Sequence, residues 1–382
     1  MYWKYMDQYD PKYINEHCPW MSALKDTPQD PIFHQEGDVA THTFMVLEEL
    51  KKDLKFQALP QQQQEYLKAA ALLHDIEKRS TTILEENGRI SSRGHAKKGA
   101  QSVQTMLYTA GKTPFHVREQ VVNLVRYHGL PLWIFEKPKP LKALLQCSFQ
   151  LNTQLLTYLA EADVKGRICS DQNEMLERVA LFEAYCQEQE CWSISKKFPS
   201  NLSKFHFFRK ENVYTNYLPF NDLEGEMVIL CGLPGAGKDA HIQKHYGDWP
   251  MVSLDQLRRK YKIAPGDKKR TGKLVQLAKE KAKDYLRKQI PFVWNATNIS
   301  RKARQRLVDL FSPYKAKIRI DYIEVPFKLL LLQNNHREWV VPKKVIEQML
   351  YKLEIPSKDE AHEVEYFVQD NKDEFSMLSN NK

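Results

Sequence analysis

Two groups of residues in this 382-residue chain have the types and spacing to do chemistry. The first is a set of imidazoles and carboxylates: His42, the dipeptide His74-Asp75, then His95, His128 and Asp163. Neutral imidazoles with carboxylates suit Mn²⁺, Fe²⁺, Co²⁺, Ni²⁺ or Zn²⁺ better than Ca²⁺. Any one of these histidines is better explained by a hydrogen-bonded structural role; the ordered set points to a metal site. Lys78 follows the dyad at one helical turn, so a continuous helix would put it on the same face, where its ammonium could hold a phosphate bridging the metals. His34 and Arg167 are candidates for substrate contact or for support of the ligands, and an ordinary surface role fits them equally. His17 and His116 match nothing.

The second group lies in residues 226–246, EMVILCGLPGAGKDAHIQKHY. Gly232, Gly235, Gly237 and Lys238 give the spacing G-x-x-x-x-G-K between an apolar run and a helical one. Glycines let backbone N–H groups converge on phosphate oxygens, and the helix N-terminus adds positive potential. Lys238 would then reach the β- and γ-phosphates of a nucleotide such as ATP. Ser or Thr is expected next, as a Mg²⁺ ligand, but Asp239 stands there. Two readings follow. Asp239 replaces the hydroxyl as a ligand to Mg²⁺, or it only caps the helix. Farther on, SLDQLRRK places Asp255 just past a short apolar run, where it could take a proton from an attacking hydroxyl. Arg258, three residues later, could grip a phosphate of the acceptor. In NNHREWVVPKK, Arg337 could close over the transferring phosphoryl group. Taken alone, Asp255 and Arg258 also fit an ordinary helix-start acid and a surface arginine.

The elements that must position these groups divide the chain. Seven of twelve histidines fall within the first 128 residues and none between 129 and 205. The first half reads helical, at 62–78, 96–110, 116–128, 141–165 and 172–190. After 225, apolar runs (MVILC, MVSL, FVWNAT, IRIDYIEV, HEVEYFV) alternate with helical stretches, the pattern of a mainly parallel sheet covered by helices. The expected organisation is an all-α domain at 1–191, a linker at 192–224 with a short strand at 205–208, an α/β domain at 225–369, and a loose tail at 370–382. Basic residues between aromatics in that linker could stack single-stranded nucleic acid, though packing of the linker is the commoner role for such aromatics. Six scattered cysteines without a CxxC pair favour reduced thiols and a cytoplasmic setting. Neither a membrane span nor a secretory signal is expected. A formal charge of +9 leans towards phosphate-rich partners, and a homodimer is allowed.

The order loop, strand, D-x-x-R, WNATN (Thr297 and Asn298) and a late arginine before V-P resembles the P-loop polynucleotide 5′-kinases over about residues 225–365. The resemblance implies that Lys238 binds phosphate, Asp255 is the base on a 5′-hydroxyl, Arg258 holds the acceptor and Arg337 the nucleotide. Asp239 departs from that pattern, and so does Asn295, which stands where an acidic residue often closes the strand. HQEGDVATHT and AALLHDIEK resemble HD-domain phosphohydrolases, over about residues 25–190. This implies one metal on His42, His74, Asp75 and Asp163, and a second sharing Asp75 with His95 and His128. The fusion of the two is similar to the bifunctional bacterial RNA-end-healing enzymes. That similarity implies NTP-dependent phosphorylation of 5′-OH ends of RNA or DNA and removal of 2′,3′-cyclic, 2′- or 3′-phosphates. Two other functions remain open: an HD nucleotidase joined to a small-molecule kinase, and an HD hydrolase regulated by ATP.

Overall fold

Residues 69–73 are buried on every side, because the helix that ends with them, Gln61–Leu73, runs through the middle of a helical unit. It packs against the helices Val39–Lys52 and Phe115–Tyr127. The first of these buries Val39, His42, Val46 and Leu50, spacing that keeps one stripe facing inward. His95–Ala110, Thr153–Lys165 and Gln172–Glu188 complete the layer. The computed structural model describes residues 2–263, 267–369 and 375–377. The chain divides into two units, Met1–Lys196 and Lys197–Lys382.

Among the described residues the first unit is helical apart from a small hairpin, β1 (Ile83–Leu84) against β2 (Ile90–Ser91). Two helices differ from expectation. The stretch 141–165 is two helices, Pro140–Ser148 and Thr153–Lys165, because the Asn152 side chain accepts from Gln154 N and Leu155 N and starts the second. The helix expected over 62–78 stops at Leu73, and residues 74–77 form a turn before a short helix, Lys78–Thr81.

In the second unit the apolar runs form β3 (Glu226–Cys231), β4 (Met251–Ser253), β5 (Phe292–Asn295), β6 (Lys317–Glu324) and β7 (Glu363–Gln369). They are parallel, in the order β4-β5-β3-β6-β7, and the antiparallel β8 (Phe375–Met377) closes the edge within the expected tail. The rest of that tail, 370–374 and 378–382, lies outside the described residues. β3 has β5 on one side and β6 on the other, so the chain winds away in both directions from its C-terminal end. Open parallel sheets bind ligands at such a point.

The strand expected at 205–208 is instead part of a helix, Asn201–Arg209, started by Ser200, whose hydroxyl accepts from Ser203 N at 3.0 Å. It buries Leu202, Phe205 and Phe207, and Phe205 stacks on His362 with ring centroids 3.8 Å apart. Some linker aromatics thus pack, whereas Tyr214 and Phe220 stay exposed. No helix among the described residues is long and apolar enough to cross a membrane.

Candidate active sites

The end of the buried helix Gln61–Leu73 delivers His74 and Asp75 into the interior of the helical unit, where His42, His128 and Asp163 are also buried. Each of four imidazoles is anchored through Nδ1 to a backbone carbonyl: His42 to Gly166 O (3.1 Å), His74 to Ala71 O (2.8 Å), His95 to Ser92 O (2.7 Å) and His128 to Val125 O (2.8 Å). The four Nε2 atoms therefore face one cluster. His42, His74 and Asp163 form one group whose ligand atoms lie within 4.8 Å of one another, and Asp75, His95 and His128 form another. Asp75 joins them. Its Oδ2 lies 3.2 Å from His74 Nε2 and 3.8 Å from His42 Nε2, and its Oδ1 lies 3.3 Å from His95 Nε2 and 3.9 Å from His128 Nε2.

The electrostatics suit a cation. Burial alone would raise the two aspartates, but His74, Lys78 and His95 around Asp75, and Arg167 and His42 around Asp163, outweigh it and hold both well below the usual carboxylate range. Burial pushes His128 down to about 3, reinforced by His95 and His74, and lowers His95 as well. Neutral rings are what a metal requires. His42 goes the other way: burial would lower it, but its bonds to Asp163 and Glu36 carry it above the ordinary value. A cation between His42 and Asp163 would take the place of that proton. His74 Nε2 is buried with no hydrogen-bond partner, an orphan that an ion would satisfy.

Lys78 does reach the dyad, but by the turn at 74–77 rather than along one continuous helix. Its Nζ lies 2.7 Å from Asp75 Oδ2 and donates to Gln29 Oε1 at 2.7 Å. Arg167 forks onto Asp163, with Nε to Oδ1 at 3.2 Å and Nη2 to Oδ2 at 2.5 Å. His34 Nδ1 meets Glu36 Oε1 at 2.7 Å, and burial first of all drives His34 down to about 4. A cavity of about 550 Å³ is bordered by His34, Asp75, Lys78, His95, His128 and Arg167.

In the second unit, β3 runs into the glycine loop and the helix Lys238–Tyr246. A Cβ on Gly232 would stand 2.5 Å from Ile323 O, and Gly235, at φ +83°, would bring one to 2.6 Å from Leu330 O. Lys238 Nζ donates to Gly232 O (3.0 Å) and Leu233 O (2.8 Å). Burial, then the nearby Arg337, lowers Lys238 to about 8, while Asp239 and Asp255 act in the opposite sense. Part of Lys238 still meets solvent, and bound phosphate would draw its pKa back up. Asp255 lies in the first turn of the helix Leu254–Lys260 after β4, and its Oδ1 accepts from Arg258 Nη1 at 3.0 Å. Arg258 Nε is buried without a hydrogen-bond partner. Arg337 follows the helix Phe327–Asn335.

Gly237 is the N-cap of the loop's helix, and no side chain caps it. Asp239 therefore does not form the hydrogen-bonded cap, although its charge in the first turn is favourably placed. Instead its Oδ1 accepts from Asn295 Nδ2 at 2.8 Å. Thr297 and Asn298 hold the backbone: Thr297 O accepts from Gly232 N at 3.0 Å, and Asn298 Nδ2 donates to Leu230 O at 2.7 Å.

Residues 39–150 match the family model described as HD domain, and residues 227–356 match the one described as AAA domain. The chain is an HD domain followed by an AAA-class P-loop domain. One chain in the solved structure of a Pnkp1/Rnl/Hen1 complex is 19% identical over 35% of this chain and 44% of that one. Its TM-score of 0.27 is too low to bear on either domain.

The HD match ends before Asp163 and Arg167 and begins after His34, so the fold alone brings these three to the HD domain's cluster. Two partners there were not foreseen. Glu36 accepts from His34, His42 and Ile168 N, the last at 2.9 Å, and thereby fixes how the His42 ring faces Asp163. Gln29 holds Lys78. The text HQEGD carries Glu36 beside His34, but an acidic residue in a short polar run has no distinguishing signal of its own. In the P-loop domain the unforeseen contact is Asn295 on Asp239.

Proposed function

We propose that this is a bifunctional nucleic-acid end-repair enzyme. The P-loop domain moves the γ-phosphoryl group of an NTP onto a 5′-hydroxyl, and the HD domain removes 2′,3′-cyclic, 2′- or 3′-phosphates. One observation carries the reading: a single chain pairs a double His/Asp cluster with a phosphate loop that has Asp255 and Arg258 beside it. In the HD domain, His42, His74 and Asp163 would hold one divalent ion and Asp75, His95 and His128 the other. Such ions supply Lewis acidity towards the phosphoryl group and lower the pKa of water. Lys78 and Arg167, positive groups on the cavity, receive the phosphate oxygens.

In the P-loop domain the loop's N–H groups cradle the NTP, and Lys238 exchanges its two carbonyl partners for phosphate oxygens. Asp255 takes the proton of the attacking 5′-hydroxyl as the new O–P bond forms and the nucleoside diphosphate leaves. Arg258 offers its unpartnered Nε to a phosphate of the acceptor. Arg337 balances the charge on the transferring group.

Mixing an RNA oligomer bearing a 5′-OH and a 2′,3′-cyclic phosphate with ATP, Mg²⁺ and Mn²⁺, Co²⁺ or Ni²⁺ tests this directly. The expected mass spectrum shows a 5′-phosphate gained and the 3′-terminal phosphate lost; an unchanged 5′ end would refute the kinase half. A second reading, an HD nucleotidase with a small-molecule kinase, is favoured by the cavity, whose size is that of single-ligand sites. It would prevail if nucleosides outcompeted 5′-OH oligomers as acceptors.

Asp239 is read as a ligand to Mg²⁺ steered by the Asn295 amide. Asp239→Ala is expected to lower kinase kcat by roughly 10²–10³-fold and to raise the Mg²⁺ needed for half-maximal rate. The double variant Asp239→Ser/Asn295→Asp, which moves the carboxylate across the pair, recovers most of that loss. An Mg²⁺ titration superimposable on wild type for Asp239→Ala would leave only the helix-charge role. In the HD domain, Glu36→Gln should weaken metal affinity by about 10–100-fold, measured against a chelator; unaltered affinity would reduce Glu36 to a packing role.

A further inference from the structure

One side of the HD cavity has no part in holding metal or phosphate. Phe33 and Trp133 line the same cavity as Asp75, His95 and His128, and they remain 38% and 39% exposed. Both rings are braced. Arg178 lies over Trp133 at 4.8 Å from the ring centroid, and Arg89 over Phe33 at 5.2 Å. The arginines are themselves fixed, Arg178 Nη1 on Leu132 O (3.2 Å) and Glu136 Oε1 (3.0 Å), and Arg89 Nε on Asp30 Oδ2 (3.3 Å).

The backbone beneath is equally set. Leu132 belongs to a buried cluster with Ala160, Val164, Met175 and Val179. Trp133 Cδ1 lies 4.0 Å from where a Cβ on Gly129 would stand, and Gly129 directly follows His128. Phe33 directly precedes His34. Each ring is thus held next to a residue of the site, yet keeps more than a third of its surface exposed in the cavity. Aromatic rings backed by an arginine and still more than a third exposed beside a phosphate site match what single-stranded nucleic acid requires, because any base can stack on such a ring whatever its sequence.

We propose that Phe33 and Trp133 form a stacking wall for the nucleobase of the terminal nucleotide whose phosphate enters the HD cluster. This rests on the end-repair reading and gives the HD domain its preference for a nucleotide end over a bare phosphate ester.

The test compares two oligonucleotide 3′-phosphates, one with a normal terminal nucleotide and one with a stable abasic analogue there, using the full-length protein loaded with Mn²⁺ or Ni²⁺. Wild type is expected to favour the base-bearing end by roughly 5–150-fold in kcat/KM, mostly through KM. Trp133→Ala brings the ratio close to one, Trp133→Phe retains most of it, and Phe33→Ala reduces it. Equal rates on both ends by wild type would overturn the stacking wall while leaving the phosphatase intact. A Trp133→Ala loss shared equally by the two ends would mean a structural role and overturn it too. Hydrolysis of neither end would overturn the end-repair reading and the wall together.

Discussion

Lys238→Ala is expected to lower phosphoryl transfer to a 5′-hydroxyl by about a thousandfold or more, the scale for removing a preorganised charge that meets the transition state. The reason is local. Lys238 is the first residue of the helix after the loop, and its ammonium already leans back over Gly232 O and Leu233 O of that loop. Arg337, Asp239 and Asp255 all act electrostatically on it, so the groups proposed to handle donor and acceptor are its neighbours. Alanine leaves the glycine turn intact, because the loop's shape is set by Gly232 and Gly235 against Ile323 O and Leu330 O. The phosphatase rate on the same oligomer should therefore stay at the wild-type value. A kinase rate within tenfold of wild type would remove Lys238 from the chemistry.

Asp75→Asn is expected to do the reverse. It keeps the volume of the side chain but removes the charge that faces four imidazoles and Lys78. Metal content, by elemental analysis, should fall, and the 3′-phosphatase rate should drop by more than about 100-fold, beyond what loss of a supporting partner costs. Kinase activity should persist. Removing one partner of a buried ion pair costs on the order of 3–5 kcal/mol, so the metal-free variant should also melt at lower temperature. Full metal content with lost activity would show that Asp75 acts on the substrate and not on a metal.

Much of this was legible in the chain itself because it is local. The glycine spacing, the apolar run before it and Lys238 are contiguous, and β3, β4, β5, β6 and β7 each began as a visible apolar run. Five helical stretches of the first unit followed from composition and periodicity, but Val39–Lys52, which carries His42, was not among them. Where local signals competed, the reading failed. The segment 205–208 is rich in aromatics that favour strands, but Ser200 as N-cap and the ring of His362 make it a helix. The helix expected over 62–78 breaks at His74, since the dyad turns inward to meet groups from four other segments.

What the sequence alone determined is therefore the inventory: which chemical groups exist, in what order, and most of the stretches that form helices or strands. The tertiary structure decided which of them meet. His42 and Asp163 are 121 positions apart yet lie 3.0 Å from each other, Lys78 and Gln29 meet across 49, and Asn295 reaches Asp239 across 56. Backbone periodicity acts over a few residues, whereas these contacts arise from burying helix faces and ordering parallel strands. No spacing rule in the chain could announce them.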